Sequence, residues 1–112
     1  MGCDMNVVAI TGNLVEDAEL RFTKAGVPVL NYCVAVSDRR MNQGTGHWED
    51  SPIFVDCAQF GNFAERISSR LTKGSKVAVM GRLGQKMWVG KDGVMRQKLS
   101  VVTDRIEFQT KS

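Results

Sequence analysis

The sequence lacks the residue patterns on which most enzymes and metalloproteins depend. It has one histidine, no HExxH or GxSxG pattern and no glycine-rich phosphate loop, so we expect neither enzyme activity nor a cofactor. Its cysteines, Cys3, Cys33 and Cys57, form no CxxC pair and cannot complete a zinc site with His47, so we expect reduced thiols and no bound metal. No apolar run approaches the ~20 residues that cross a bilayer, and the N-terminus lacks a signal-peptide layout. We therefore expect a cytoplasmic protein without a membrane segment.

The net charge of +3 conceals an uneven distribution of charge along the chain. Residues 1–56 hold four basic and eight acidic side chains, whereas residues 57–112 hold eleven basic and four acidic ones. Such asymmetry favours a surface that faces a polyanion. Part of this charge falls in a predicted helix, where it serves solubility, so the basic residues of the later strands are the better phosphate candidates.

Hydrophobic periodicity predicts an all-β protein with one helix in a single domain, residues 1–112. Five strands are expected, the first with a short continuation, and residues 41–52 are expected to form a polar loop. The predicted strands cover residues 6–15 with 19–23, then 27–40, 53–61, 75–89 and 94–109. A helix between the third and fourth of five strands is the order of an OB-fold, a small Greek-key barrel.

The helix is predicted where the period changes from two to about four. Phe63, Ile67 and Leu71 recur at i, i+4 and i+8 and form one apolar stripe. Asn62 is expected to cap the N-terminus in a capping box, and Gly74 is expected to end the helix.

Strand parity places large aromatic rings on a polar face. In residues 53–60, one face carries mostly apolar side chains at odd positions and is expected to be core. The opposite face carries Phe54, Asp56 and Phe60, and the same alternation in the fourth strand groups Trp88 with Lys86. Rings and cations that share a solvated face are typical of surfaces that stack unpaired bases and hold their phosphates.

Three blocks of the sequence carry a more specific resemblance. They read NVVAITGNLVEDAELRFTKAGVPV, FGNFAERISSRLTKGSKVAVMGRL and MWVGKDGVMRQKLSVVTDRIEF. In this order and spacing, they resemble the DNA-binding domain of bacterial single-stranded DNA-binding proteins over nearly the whole chain. The resemblance implies an OB barrel that assembles as a homo-oligomer, most simply a tetramer, and is associated with the nucleoid. It also implies sequence-independent binding and protection of single-stranded DNA in replication, recombination or repair.

The resemblance implies stacking positions at Phe54, Phe60 and Trp88, the rings that parity had already selected. It implies a further stacking position at Arg40, where a guanidinium plane offers less area than an indole, and Trp48 is a candidate to compensate. Cations around these rings are the predicted phosphate ligands. They are Arg21, Arg39, Arg40, Arg82, Lys86, Arg96 and Lys98.

Other functions compete with this interpretation. An OB-fold paralogue that acts as a primosome component or protein-interaction module is one alternative, and an RNA-binding domain is another, since stacking barely distinguishes ribose from deoxyribose. Asp56 is expected to stand alone on a basic face, which disfavours a nuclease metal site. Related proteins commonly continue into an acidic tail that recruits enzymes. This sequence ends in RIEFQTKS, with Lys111 and no acidic tip, so we expect no tail-mediated recruitment by this polypeptide.

Overall fold

The computed structural model describes residues 3–109, which form eight strands and one short helix. Lys111, on which the expectation about the tail rests, lies outside these residues. Within the described part, no helix is long and apolar enough to cross a membrane. The strands are β1 (Val8–Leu14), β2 (Glu19–Phe22), β3 (Pro28–Val36), β4 (Arg39–Met41), β5 (Trp48–Asp50), β6 (Ile53–Phe60), β7 (Lys76–Val89) and β8 (Met95–Phe108); the helix, α1, spans Asn62–Ile67.

Six of the strands form one sheet in the order β1-β7-β8-β6-β3-β2. An additional antiparallel pairing of β1 with β3, at Asn13↔Ala35 and Leu14↔Val34, brings distant parts of this sheet together. β6 and β8 pair in parallel at Cys57↔Val101 and Ala58↔Val102. The long strands β1, β3, β6, β7 and β8 correspond to the five predicted strands, and α1 lies between the third and fourth of them. The expected all-β class and the order of an OB-fold are confirmed.

The core lies between the inward faces of these strands. Leu30, Tyr32 and Val34 alternate along β3 and are at most 5% exposed, which is the period-two burial expected of a strand with one face inside. The Tyr32 hydroxyl and Thr103 Oγ1 on β8 are hydrogen-bonded at 2.5 Å, so the buried phenol is satisfied. Ile67 on α1 is 4% exposed and covers one end of this core.

A β-bulge changes the parity of β8. Met80 pairs with Arg105 but Gly81 pairs with Thr103, so Asp104 has no register partner on β7. Ile106 is buried from an even position, whereas Thr103 and Val101 are buried from odd ones. An extra residue moves every side chain beyond it to the opposite face of the strand. The even-numbered residues of β8 before Thr103 therefore point away from the core.

The helix is shorter than predicted and its cap is different. Gly61, with φ of 94°, is the N-cap residue, Asn62 is the first helical residue, and no side chain caps the terminus. α1 ends at Ile67 and a single 3₁₀ turn follows at Ser68–Arg70. Leu71, fully buried, adopts a non-helical ψ of 79°. The chain leaves the helix here because Leu71 turns into the core, well before Gly74.

The predicted loop at residues 41–52 contains part of a second sheet. Arg39–Met41 and Trp48–Asp50 pair as a two-stranded ribbon, so Arg39 and Arg40 do not extend β3 as predicted. Asn42 organises the turn between them, since its Oδ1 accepts a hydrogen bond from the Gly44 N–H at 2.8 Å. This local Asx-type bond gives a polar segment a defined hairpin.

Truncating a core side chain tests this packing. Leu30→Ala, at a position with 0% exposure, should lower the free energy of unfolding by about 2–5 kcal/mol because it leaves a cavity. Leu99→Ala makes the same change at a side chain that is 60% exposed, and should shift stability by no more than about 0.5 kcal/mol. Urea titration followed by circular dichroism measures both, and equal losses would contradict the described core.

Candidate nucleic-acid interface

β6 presents two aromatic rings to solvent, as strand parity predicted. Phe54 and Phe60 are 63% and 48% exposed, and Cys57 and Gln59 on the opposite face are buried. Ile53 was expected to be core from its odd position but is 50% exposed. It is the first residue of β6 and pairs with Val36, the last residue of β3, so the strands end here and leave it uncovered.

β7 and β8 continue past the pairing with β6 as a two-stranded ribbon of residues 83–99, here called the arm. Trp88 lies near its tip, 41% exposed, opposite Arg96. Lys86 pairs with Lys98 two residues further from the tip. Directly opposed residues of an antiparallel pair share a face, so this ring and these cations lie together on one side of the arm. Because of the bulge, Arg96 and Lys98 lie on the face that carries Trp88.

Two opposed lysines would repel each other on a bare face. Lys98 Nζ is instead bound to the carboxylate of Asp56 on β6. The hydrogen bond that Lys98 donates to Asp56, followed by the negative charge of that carboxylate, raises the pKa of Lys98. Asp56 is therefore not isolated, as had been expected, but is joined to one of the predicted phosphate ligands.

A groove of ≈ 960 Å³ runs over the outer face of β2, β3, β6 and the base of the arm. Phe60 lines it, and so do three predicted phosphate ligands, Arg21, Lys86 and Lys98. Phe54, Trp88, Arg82 and Arg96 lie outside its lining, although β6 and the arm carry them. Trp48, Arg39 and Arg40 belong to the separate β4–β5 ribbon, where Trp48 is 58% exposed.

Phe22 is a groove residue that the sequence analysis missed. It is 57% exposed at the end of β2 and lines the same groove as Phe60. Parity gives it the same face as Leu20, a side chain that packs against the core, so alternation gave no sign of its exposure. Phe22 is exposed because it lies at the end of the strand, opposite Pro28. The alternation of side chains along a strand does not show where the strand ends.

Carboxylates already bind four of the seven predicted phosphate ligands. These pairs are all at least partly exposed. Their N–O distances are 2.7 Å for Arg21–Glu19, 2.8 Å for Arg96–Asp92 and 3.5 Å for Arg82–Asp104. The fourth is Lys98–Asp56. Exposed pairs of this kind contribute little to stability, about 0–1 kcal/mol each, and they can be exchanged for other anions.

Three titratable groups in and beneath the groove, two thiols and a phenol, have raised pKa values. Burial raises the pKa of the Tyr32 phenol and raises that of the Cys57 thiol to about 12. Cys33, which lines the groove opposite Asp56, also has its pKa raised by burial and by that carboxylate. Among residues 3–109, no three His, Cys, Asp or Glu side chains are grouped closely enough to hold a metal ion. The surface offers rings, cations and hydrogen-bonding groups for binding.

Comparison with known proteins identifies sequences that are similar to nearly the whole of this chain. A family model described as "Single-strand binding protein family" matches residues 5–109. The single-stranded DNA-binding protein of Mycobacterium tuberculosis is 38% identical over 100 residues, which are 88% of this chain and 61% of that protein. That of Borreliella burgdorferi is 33% identical over 106 residues, or 94% of this chain and 70% of that protein. The chain thus spans about three-fifths of the mycobacterial relative.

Solved structures agree on the fold. A deletion mutant of the single-stranded DNA binding protein from Thermus aquaticus aligns with a TM-score of 0.80 and 26% identity, covering 95% of this chain and 51% of that one. A Plasmodium falciparum SSB in complex with ssDNA aligns with a TM-score of 0.84, covering 98% and 99% of the two chains. At 14% identity, the second comparison supports the fold alone.

The raised pKa of Cys57 predicts slow alkylation. Thiolate is the reacting form, so a thiol with a pKa of about 12 is almost fully protonated at pH 8. In the native protein, Cys57 should react with iodoacetamide at least about a hundredfold more slowly than the exposed Cys3, and its rate should rise with pH throughout the alkaline range. Peptide mass spectrometry measures both rates. Urea should abolish the difference, and similar native rates would show that Cys57 is not buried as described.

Proposed function

The chain belongs to the single-strand binding protein family, and from this premise we propose that it binds and protects single-stranded DNA without sequence preference in replication, recombination or repair. We also propose that residues 1–112 act as one binding domain, in the cytoplasm and associated with the nucleoid. One observation carries the proposal. Three rings, Phe54, Phe60 and Trp88, are 41–63% exposed on β6 and the arm, beside cations of the same surface.

Binding combines stacking with phosphate contacts. Bases stack on Phe54, Phe60 and Trp88, and each stacked base contributes about 1–3 kcal/mol. Phosphates contact Lys86, Lys98 and the other predicted cations of the arm and β2, and each contact adds about −0.7 to the slope of log K against log salt. Duplex DNA binds poorly because paired and stacked bases do not offer their faces to the rings. Trp48 and the arginines of the β4–β5 ribbon extend the path of the strand.

This function requires binding and no bond-breaking step. Burial raises the pKa of the Tyr32 phenol and of the Cys57 thiol beneath the groove, and the cations act as phosphate ligands. The alternatives of an RNA-binding domain or a protein-interaction module are distinguished by the choice of ligand in the experiment below.

Tryptophan fluorescence tests the proposal directly. A Trp48→Phe variant leaves Trp88 as the only tryptophan, and it is titrated with oligo-dT, a matched duplex and oligo-U at low and high salt. Quenching by the single strand, only partly reversed by salt, supports stacking on Trp88. Equal quenching by oligo-U indicates an RNA binder, and no quenching by any nucleic acid rejects the proposal.

Removal of a stacking ring should weaken binding without unfolding the protein. Phe54→Ala and Trp88→Ala are each expected to lower affinity for oligo-dT by about 1–3 kcal/mol, roughly fivefold to more than a hundredfold. Phe63→Ala is the matched control, since Phe63 is 40% exposed on α1 beside Arg66 and away from the groove. Fluorescence anisotropy with a labelled strand measures affinity. Unchanged affinity in both ring variants, with native circular dichroism, would refute the stacking surface.

Self-association is the second part of the proposal. β1 pairs with β7 along Val8–Asn13 but with β3 only at Asn13 and Leu14, so residues 8–12 have one unpaired backbone edge. Free strand edges favour pairing with another chain. A second copy that pairs here gives a homo-oligomer with twofold symmetry, and stacking of two such dimers gives a tetramer.

Light scattering coupled to size exclusion measures the assembly. At micromolar concentration, the expected mass is a multiple of the chain's 12.4 kDa, four-fold for the tetramer. Ala9→Lys, which places a charge on the exposed face of β1, should lower the mass. Ala25→Lys makes the same change in an exposed turn and should leave the mass unchanged. A wild-type monomer would contradict the proposal.

A further inference from the structure

Asp56 occupies an unusual place for an acidic side chain on a proposed DNA-binding surface. It lies on the outward face of β6, between Phe54 and Phe60 along the strand. It lines the groove, and its carboxylate holds Lys98 Nζ. The two side chains are 44% and 60% exposed, so both are accessible to a ligand that enters the groove.

The groove as a whole is not net positive. Its lining carries four acidic side chains and three basic ones. The acidic residues are Glu16, Asp17, Glu19 and Asp56, and the basic residues are Arg21, Lys86 and Lys98. Two of these three cations, Arg21 and Lys98, already have a carboxylate partner. A phosphate that enters the groove therefore meets cations that are mostly neutralised.

We propose that Asp56 competes with DNA phosphate for Lys98, so that strand binding at this point exchanges one anion for another. The inference rests on the proposed single-strand binding function and adds to it a residue that limits affinity. Asp56 is suited to this role because it faces the same groove as the incoming phosphates. Lys98 Nζ lies against the Asp56 carboxylate, and the hydrogen bond that it donates there favours the same charged amine that phosphate would bind.

The exchange has a thermodynamic signature. When a lysine with no carboxylate partner binds phosphate, the strand releases condensed cations and affinity falls with salt. When Lys98 leaves Asp56 to bind phosphate, the released carboxylate attracts a cation from solution, which offsets part of that gain. Asp56 should thus lower affinity and also flatten the salt dependence. A residue with a purely structural role would not change the salt slope.

Asp56→Asn tests the proposal, because it removes the charge and keeps the size of the side chain. Binding of oligo-dT should become about twofold to fivefold tighter, as expected for loss of one exposed ion pair. The slope of log K against log salt should become more negative by up to about 0.7, the full contribution of one phosphate contact. Glu65→Gln is the control, since it removes one negative charge from an exposed position on α1 outside the groove.

A double-mutant cycle separates competition for Lys98 from general repulsion of DNA. In a Lys98→Gln background, Asp56→Asn should tighten binding less than in the wild type, because no amine is left to be released. An equal or larger gain in that background overturns the proposal in favour of simple repulsion. Identical affinity and slope for Asp56→Asn and Glu65→Gln, with tight wild-type binding, overturn the proposal but leave the proposed function intact. Absence of binding by the wild type rejects both.

Discussion

The register between β7 and β8 is the constraint on which the placement of the proposed DNA-binding side chains depends. Asp104 has no partner on β7, so β8 is one residue longer than its neighbour at the bulge. Ile106, at an even position of β8, and Val101, at an odd position, are both buried in the core. Without that extra residue, Lys98 would share the inward side of Ile106. With it, Lys98 faces outward beside Trp88, and the two strands of the arm present one surface.

Charge on this surface is balanced rather than simply positive. Most of the predicted phosphate ligands are paired with carboxylates in the free protein, and the pairs are exposed enough for exchange. In the proposed binding mode, stacking on the exposed rings supplies the part of the binding energy that salt does not screen. The same arm has a second, apolar face, where Leu83, Met87 and Leu99 are 44–60% exposed. An isolated two-stranded ribbon is only marginally stable, so contacts to either face should help to order it.

Strand parity correctly predicted that the rings of Phe54 and Phe60 face outward, because β6 is regular and pairs in register with β3 over its full length. The same rule failed for Ile53, which lies at a strand end where no neighbour covers the inward side, and it gave no sign that Phe22 is exposed. The predicted N-cap at Asn62 also failed. Gly61 takes that role because its backbone has a positive φ, and Leu71 ends the helix early by turning into the core. Local signals were reliable inside elements and unreliable where tertiary packing sets their ends.

The sequence by itself determined the all-β class, the order of the five long strands with one helix, and the outward rings of β6 and β7. These follow from periodicity, which depends only on the alternation of side chains along a strand. Tertiary structure alone decided that Asp56 binds Lys98 and that Phe22 faces the groove. Both depend on how separate strands are brought side by side, and the first depends also on the bulge that turns β8. A sequence pattern within one strand carries no information about either.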